Sequence, residues 1–315
     1  MVQVEKQFGK RLPLSMLIKY PTIKQLALVI QNDEPDSPYS SLVPIKPEGN
    51  KIPLYIIHGI GLNILNLYNL VSNLDADQPV YGLQAIGLDG KIKLPDSIEA
   101  IAQFYNEEIM KHNPTGPYAI AGYSFGGYIA YELVRQLKEM GKDVRLLAMF
   151  DTNLQEPTHQ YRGTKKFNIK LARQFKKLAF RVSTLFTQPV NTFSYLKNEY
   201  TIEFMFFLKR LGIIKEYHPE NLPEYMQDIA DELYTAFNSY KVKPAHVKID
   251  LFKAGKRLYY VDEPKLLGWG KYALDGVQTY NVPGDHKDMF EVDNSKVFAK
   301  ALQTRLNEIN FAICV

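Results

Sequence analysis

Cysteine is nearly absent: the 315 residues contain one, Cys314, next to last in the chain. A single thiol builds no disulfide framework and no thiolate zinc site, so the expectation is a reducing, cytoplasmic compartment. Long apolar runs are missing too. None approaches the ~18 residues of a membrane span, and the N-terminus lacks the basic, apolar, small-residue order of a signal peptide. Acidic residues are missing from one stretch in particular. Arg162, Lys165, Lys166, Lys170, Arg173, Lys176, Lys177 and Arg181 follow one another without an intervening carboxylate. Such a block suits phosphate, an acidic partner protein or an anionic membrane, or is simply a solvated helix face. The whole chain carries only +4, which does not point to nucleic acid. With 46% hydrophobic and 23% charged residues, the composition is that of a folded protein large enough to need no staples.

Residues 1–33 read as a separate small unit. Val2 to Phe8 is helical in pattern, Leu12-Pro13-Leu14 interrupts it, and Pro21-Thr22-Ile23 opens a second helix through Ile30. Two short helices bury too little surface to stand alone. Residues 34–50 are rich in Pro, Ser, Asp and Gly and read as a linker. From residue 51 onward the pattern changes. Apolar strands at Leu54–Ile57, Val80–Leu83, Tyr118–Ala121 and Val144–Phe150 alternate with helical patterns at Ile98–Met110 and Tyr128–Met140, the latter closed by Gly141. Strands without polar alternation predict a parallel sheet covered on both faces, an α/β architecture. The alternation stops at Asp151. A helical block, about 155–245 and rich in Phe, Tyr and Lys, precedes strands at Val247–Phe252 and Val277–Val282 and a terminal helix near Ser295. An insertion at that edge of a parallel sheet predicts a lid.

Gly122-Tyr123-Ser124-Phe125-Gly126 fits the nucleophile elbow, G-x-S-x-G, with an apolar strand before it and a long helix after it. A serine hydroxyl needs a base to take its proton. Of the six histidines, His286 follows the last strand and opens on the same edge as Ser124. His112, His159, His218 and His246 fall in helix ends, loops or the insertion, and His58 shapes the first loop. Three aspartates compete to orient the base. Asp151 ends a core strand and is favoured, Asp262 follows the next strand by about ten residues, and Asp285 adjoins the histidine. An oxyanion hole needs two backbone N–H groups, expected from Phe125 and from Ile60 in His58-Gly59-Ile60-Gly61.

Together these residues resemble the type I thioesterase domains that terminate nonribosomal peptide and polyketide synthetases. Pro79-Val80-Tyr81-Gly82-Leu83-Gln84, Gly116-Pro117-Tyr118, the elbow with Gly127, and Pro283-Gly284-Asp285-His286 carry the likeness over residues ~51–310. His58-Gly59-Ile60-Gly61 departs from the family's proline- and double-glycine-bearing loop. The resemblance implies the α/β-hydrolase fold, an acid placed after the strand that follows the nucleophile helix (Asp151), and an acyl-serine intermediate. Phe8-Gly9, Leu12-Pro13-Leu14 and Pro21-Thr22-Ile23 are similar to the last two helices of a peptidyl or acyl carrier protein. The carrier's phosphopantetheine serine has no counterpart, since Ser15 does not match it.

The resulting expectation is a monomeric piece from the end of a longer synthetase, with a Met1 that is not native. It would release an acyl or peptidyl chain, by hydrolysis or cyclisation, from phosphopantetheine on a partner carrier domain, with no cofactor or metal of its own. Lid aromatics Phe193, Tyr195, Phe204, Phe206 and Phe207 would line an acyl chamber. A free-standing carboxylesterase or lipase, and a non-catalytic interaction module, are the competing readings.

Overall fold

The apolar runs of the sequence become strands buried on both sides. The computed structural model describes residues 2–10, 12, 15–31, 40–88, 92–154, 163–210, 213 and 224–311. Seven strands are β1 (Leu42–Lys46), β2 (Leu54–Ile57), β3 (Val80–Leu83), β4 (Tyr118–Tyr123), β5 (Val144–Phe150), β6 (Ile249–Ala254) and β7 (Val277–Val282). They form one sheet in the order β1-β3-β2-β4-β5-β6-β7. β1 runs antiparallel to β3, and every other neighbour pair is parallel. The parallel strands therefore all end on one edge, and their following loops gather there.

Alternation along β2 shows how the two cores arise. Tyr55 and Ile57 face α5 (Ile98–His112), α6 (Gly126–Glu139) and α9 (Glu224–Ser239). Leu54 and Ile56 face α4 (Tyr68–Ser72) and α10 (Val292–Phe311). All four are fully buried, each stabilising the fold by about 1.5–3 kcal/mol relative to exposure. The Ser97 side chain caps α5 by accepting from the Ala100 N–H at 3.3 Å. α6 closes at Gly141, as expected: Gly141 adopts φ 69° and Lys142 returns its N–H to the Leu137 carbonyl at 2.9 Å.

The expected fold class holds, with differences at its margins. Residues 42–46, expected within an unstructured connection, form the edge strand β1; Pro44 fits there because an edge strand can spare a donor. Glu108 accepts from the Ser41 and Leu42 N–H groups and ties the start of β1 to α5. α6 starts two residues before the expected Tyr128, β6 two after Val247, and α10 three before Ser295.

Three short helices precede the sheet: α1 (Val2–Phe8), α2 (Met16–Lys19) and α3 (Ile23–Gln31). α3 opens where Pro21 predicts it, with Thr22 and Gln25 exchanging backbone-to-side-chain bonds in a capping box. The buried Ser15 hydroxyl accepts from Gln84 at 3.3 Å, and Ile18 packs beside β1. The insertion contains α7 (Gly163–Thr187) and α8 (Pro189–Arg210), paired with one another, followed by α9. No helix among the described residues is long and apolar enough to cross a membrane.

Candidate active site

Two close approaches shape the turn that carries Ser124. A Cβ on Gly122 would overlap the Gly126 carbonyl, and one on Gly127 would overlap the Thr152 side chain. Only glycine lets β4 turn directly into α6 here and lets α6 lie against the end of β5. Ser124 is left at φ 53°, a left-handed conformation costing about 1–3 kcal/mol in a residue with a side chain. Its N–H donates to the Phe150 carbonyl at 3.0 Å, and its own carbonyl accepts from the Thr152 hydroxyl at 3.0 Å. The next strand end repeats the device. Asp151 sits at φ 48° and donates its N–H to the Phe252 carbonyl at 2.8 Å.

These two turns and the loop after β7 bring three predicted residues together. His286 Nε2 lies 2.9 Å from Ser124 Oγ, and His286 Nδ1 lies 2.8 Å from Asp151 Oδ2. The carboxylate can only accept, so Nδ1 carries the proton and Nε2 is free to take one from the serine hydroxyl. The Asp151 side chain is buried. Burial opposes its ionisation, but the hydrogen bond from His286, the charges of His286 and Arg257 and the Ala254 N–H together hold its carboxyl below the usual range.

The other predicted residues separate clearly. Asp262 forms an ion pair with Arg173 of α7 at 2.5 Å, and among the described residues no hydrogen bond joins it to His286. Asp285 accepts from the N–H groups of Lys287 and Asp288 and so braces the turn that presents the histidine. His112 meets the Tyr55 hydroxyl, and His246 pairs with Asp275 on the surface. His159 and His218 lie outside the described residues. His58 is fully buried, with Nδ1 on the Gly59 carbonyl at 2.5 Å and Nε2 on the Tyr105 hydroxyl at 3.1 Å. Desolvation pushes its pKa down to about 4, so it is a neutral brace for the first loop. That loop lies against the elbow: a Cβ on Gly126 would strike the His58 carbonyl, and Gly59 abuts the Tyr123 ring. The N–H groups of Ile60 and Phe125 have no acceptor among the described residues.

Three neighbours escaped the sequence reading. Tyr123 stacks on the His286 ring at 5.2 Å and donates its hydroxyl to the His286 carbonyl at 2.6 Å. It was visible as the variable residue of the elbow, without a hint of that contact. Arg257 and Tyr259, on the loop after β6, both reach Asp151; they stand more than 100 residues from it in a stretch without a motif.

Two of the expected chamber aromatics are corrected. Phe193 and Phe204 are exposed to solvent, Tyr195 is half-buried, and the side chains of Phe206 and Phe207 lie outside the described residues. α8 turns its other face toward α7, through Arg181–Glu199 and Thr192–Thr184. A cavity of about 560 Å³ instead lies between α7 and the loop after β6, lined by Leu154, Ile169, Arg173, Lys176, Leu266 and Lys271 among others. Of the basic block, Arg173 and Arg181 are paired, whereas Lys170 and Lys176 stand exposed. Lys165 and Lys166 have side chains outside the described residues, as does Arg162 entirely. Among the described residues no group of three or more His, Cys, Asp or Glu side chains could hold a metal.

A family model described as "Thioesterase domain" matches residues 52–306. The chain is 41% identical over 152 residues to malpibaldin synthetase of Mortierella alpina, which covers 47% of this chain and 3% of that protein. It is 25% identical over 312 residues to an atromentin synthetase of Paxillus involutus, covering 94% of this chain and 32% of that one. The chain thus spans about a third or less of such relatives. Among solved structures, a four-domain nonribosomal peptide synthetase, holo-AB3403, superposes with a TM-score of 0.63 at 26% identity, over 96% of this chain and 23% of that one. The NocB thioesterase domain superposes with a TM-score of 0.57 at 19% identity, over 85% of this chain and 100% of that one, a likeness of fold. The strand order, the elbow and the family match agree: this chain belongs to the thioesterase domain family and has its α/β-hydrolase fold.

Proposed function

We propose that the chain is the releasing thioesterase of a synthetase, acting through Ser124, His286 and Asp151. One observation carries the reading: the continuous hydrogen-bonded path from Ser124 Oγ through the imidazole to the Asp151 carboxylate. The substrate is an acyl or peptidyl chain held as a thioester on the phosphopantetheine of a carrier domain. Ser124 Oγ attacks the thioester carbonyl while His286 Nε2 takes its proton. Negative charge develops on the carbonyl oxygen, where the unpartnered N–H groups of Phe125 and Ile60 are offered as donors. Each such donor is worth about 3 kcal/mol of transition-state stabilisation. The tetrahedral intermediate collapses, the sulfur leaves as a thiol with the proton from His286, and an acyl-serine remains. Water, or a hydroxyl or amine of the chain itself, then attacks with His286 again as base, and Ser124 recovers its proton. Asp151 holds the productive tautomer throughout and stabilises the imidazolium.

The exposed Lys170 and Lys176 on α7 support contact with an acidic carrier or with the phosphate of its arm. The α1–α3 segment is read as the end of such a carrier, which its three short helices, with α3 opened by the Thr22–Gln25 capping box, support. Matched thioester and oxygen-ester substrates of one acyl group test the reading. Thioester turnover that disappears in Ser124→Ala is expected; faster oxygen-ester turnover would instead favour a carboxylesterase.

A further inference from the structure

Asp151 has more holding it than an orienting carboxylate needs. Its Oδ2 accepts from His286 Nδ1 at 2.8 Å and from the Tyr259 hydroxyl at 2.9 Å. Its Oδ1 accepts from the Ala254 N–H at 3.1 Å and from Arg257 Nη2 at 3.1 Å. Four donors on two oxygens leave the carboxylate no freedom to rotate. Two of them come from one loop, and that loop also touches the base. The Gly255 N–H donates to the Val282 carbonyl at 2.7 Å, and the Lys256 N–H to the Gly284 carbonyl at 2.8 Å, just before His286. Backbone bonds of residues 255–256 thus hold the histidine's strand end, while side chains of residues 257 and 259 hold the aspartate.

The charge is the unusual part. The Arg257 side chain is mostly buried, its guanidinium lies over the Tyr259 ring at 5.3 Å, and its Nη1 has no acceptor among the described residues. A buried cation with one amino group unpartnered is costly. A neutral donor would have sufficed for Oδ1, which already has the Ala254 N–H. The other titratable groups around the pair are Tyr259, Tyr123 beneath the imidazole, and Lys253 on β6, whose ammonium is turned to the Pro264 and Lys265 carbonyls. Tyr259 stays a donor, because burial and then the charge of Asp151 push its phenol well up. Arg257 is the cation in hydrogen-bond contact with Asp151.

We infer that Arg257 and Tyr259 are positioning residues for the acyl transfer: they lock the Asp151 carboxylate toward His286 and share its charge. This rests on the function proposed above. The shared charge sets how strongly Asp151 favours the imidazolium. Removing the cation leaves that carboxylate's charge undiluted, favours protonated His286, and costs activity at acid pH first. Tyr259 acts through geometry, because its hydroxyl fixes the same oxygen that faces the imidazole. A structural ion pair that only anchored the loop would lower stability and leave both properties alone.

The test is the pH profile of kcat/KM on a small pantetheine thioester for Arg257→Met, Arg257→Lys and Tyr259→Phe, with melting temperature measured beside it. Arg257→Met is expected to lower kcat at least about tenfold with KM within about twofold, and to move the acid limb up by about half a pH unit or more. Arg257→Lys should restore the limb and only part of kcat, since an ammonium lacks the planar guanidinium that lies over the Tyr259 ring. Tyr259→Phe keeps the ring under Arg257 and should lower kcat several-fold. If Arg257→Met does not fold, the other two decide. Unchanged kcat in Tyr259→Phe would overturn the inference, as would an unmoved limb in a folded Arg257→Met, or losses that track melting temperature alone. Asp151→Asn separates the two levels: if it keeps full activity, the underlying triad reading fails whatever Arg257 does.

Discussion

Helices α6 and α7 are both amphipathic, and they treat their apolar faces in opposite ways. On α6, Ile129, Leu133, Val134 and Leu137 are buried against the sheet. On α7, Phe167, Leu171, Phe175, Leu178, Val182, Leu185 and Phe186 recur at spacings of three and four, and all are exposed, Phe186 at 85%. The inward side of α7 is instead Ile169, Arg173, Phe180, Arg181 and Thr184, two of them cations paired with Asp262 and Glu199. The contrast bears on where the proposed catalytic residues are held. Every hydrogen-bond partner of Asp151 and His286 described above sits on the core strands and their loops, not on α7 or α8. The core supplies the hydrogen-bonded geometry, and α7 exposes apolar surface.

The strongest way to break this contrast is to compare two aspartates. Asp151→Asn should reduce thioester turnover by about 10⁴-fold while the protein stays folded, because the wrong imidazole tautomer is then favoured. Asp262→Asn, which loses its pair with Arg173 of α7, should change it by no more than about threefold. Steady-state kinetics on a small pantetheine thioester decides; comparable losses would place the lid contact in the catalytic geometry.

Stability sharpens it next. Leu133→Ala should cost about 2–5 kcal/mol in urea unfolding, since the side chain is fully buried. Leu178→Ala at an exposed position of α7 should stay within about 0.5 kcal/mol. A large loss at Leu178 would mean that the stripe is covered in solution.

The core also carries a pH liability. His58 is neutral in the fold, with its pKa pushed down to about 4 by burial from an ordinary 6.5. The unfolded chain binds that proton more readily, so the stability involved is intact above about pH 6.5 and is lost as pH falls toward 4, about 3 kcal/mol in all. Urea midpoints across that range should fall, and His58→Gln should flatten the slope.

The smallest expected effect belongs to the lid cations. Reversing Lys170 and Lys176 to Glu should raise KM several-fold for a carrier-presented thioester and leave the small thioester unchanged. Equal effects on both substrates would remove the carrier from the account.

The core was legible in the sequence because a strand buried on both faces shows as an unbroken apolar run, as at Leu54–Ile57. The elbow was legible because its glycines stand at fixed spacing around Ser124, with the Gly122–Gly126 contact lying inside the motif itself. β1 was hidden because an edge strand tolerates Pro44 and sits among Ser, Pro and Gly. The orientation of α7 was not legible: periodicity reports that a helix has two faces, not which one turns inward. Arg257 and Tyr259 were not legible because their partner lies on a different strand end, brought close by the sheet alone. Asp151 was favoured over Asp262 by its place at a strand end, and its distance to His286 agrees with that preference.

The central claim is that Ser124 becomes acylated, and intact-protein mass spectrometry with a fluorophosphonate probe or a slowly released acyl-pantetheine tests it most directly. The account predicts one adduct per chain, mapped to Ser124, absent in Ser124→Ala and formed far more slowly in His286→Ala. An adduct that persists in Ser124→Ala, or none at all on the folded wild-type chain, would contradict it.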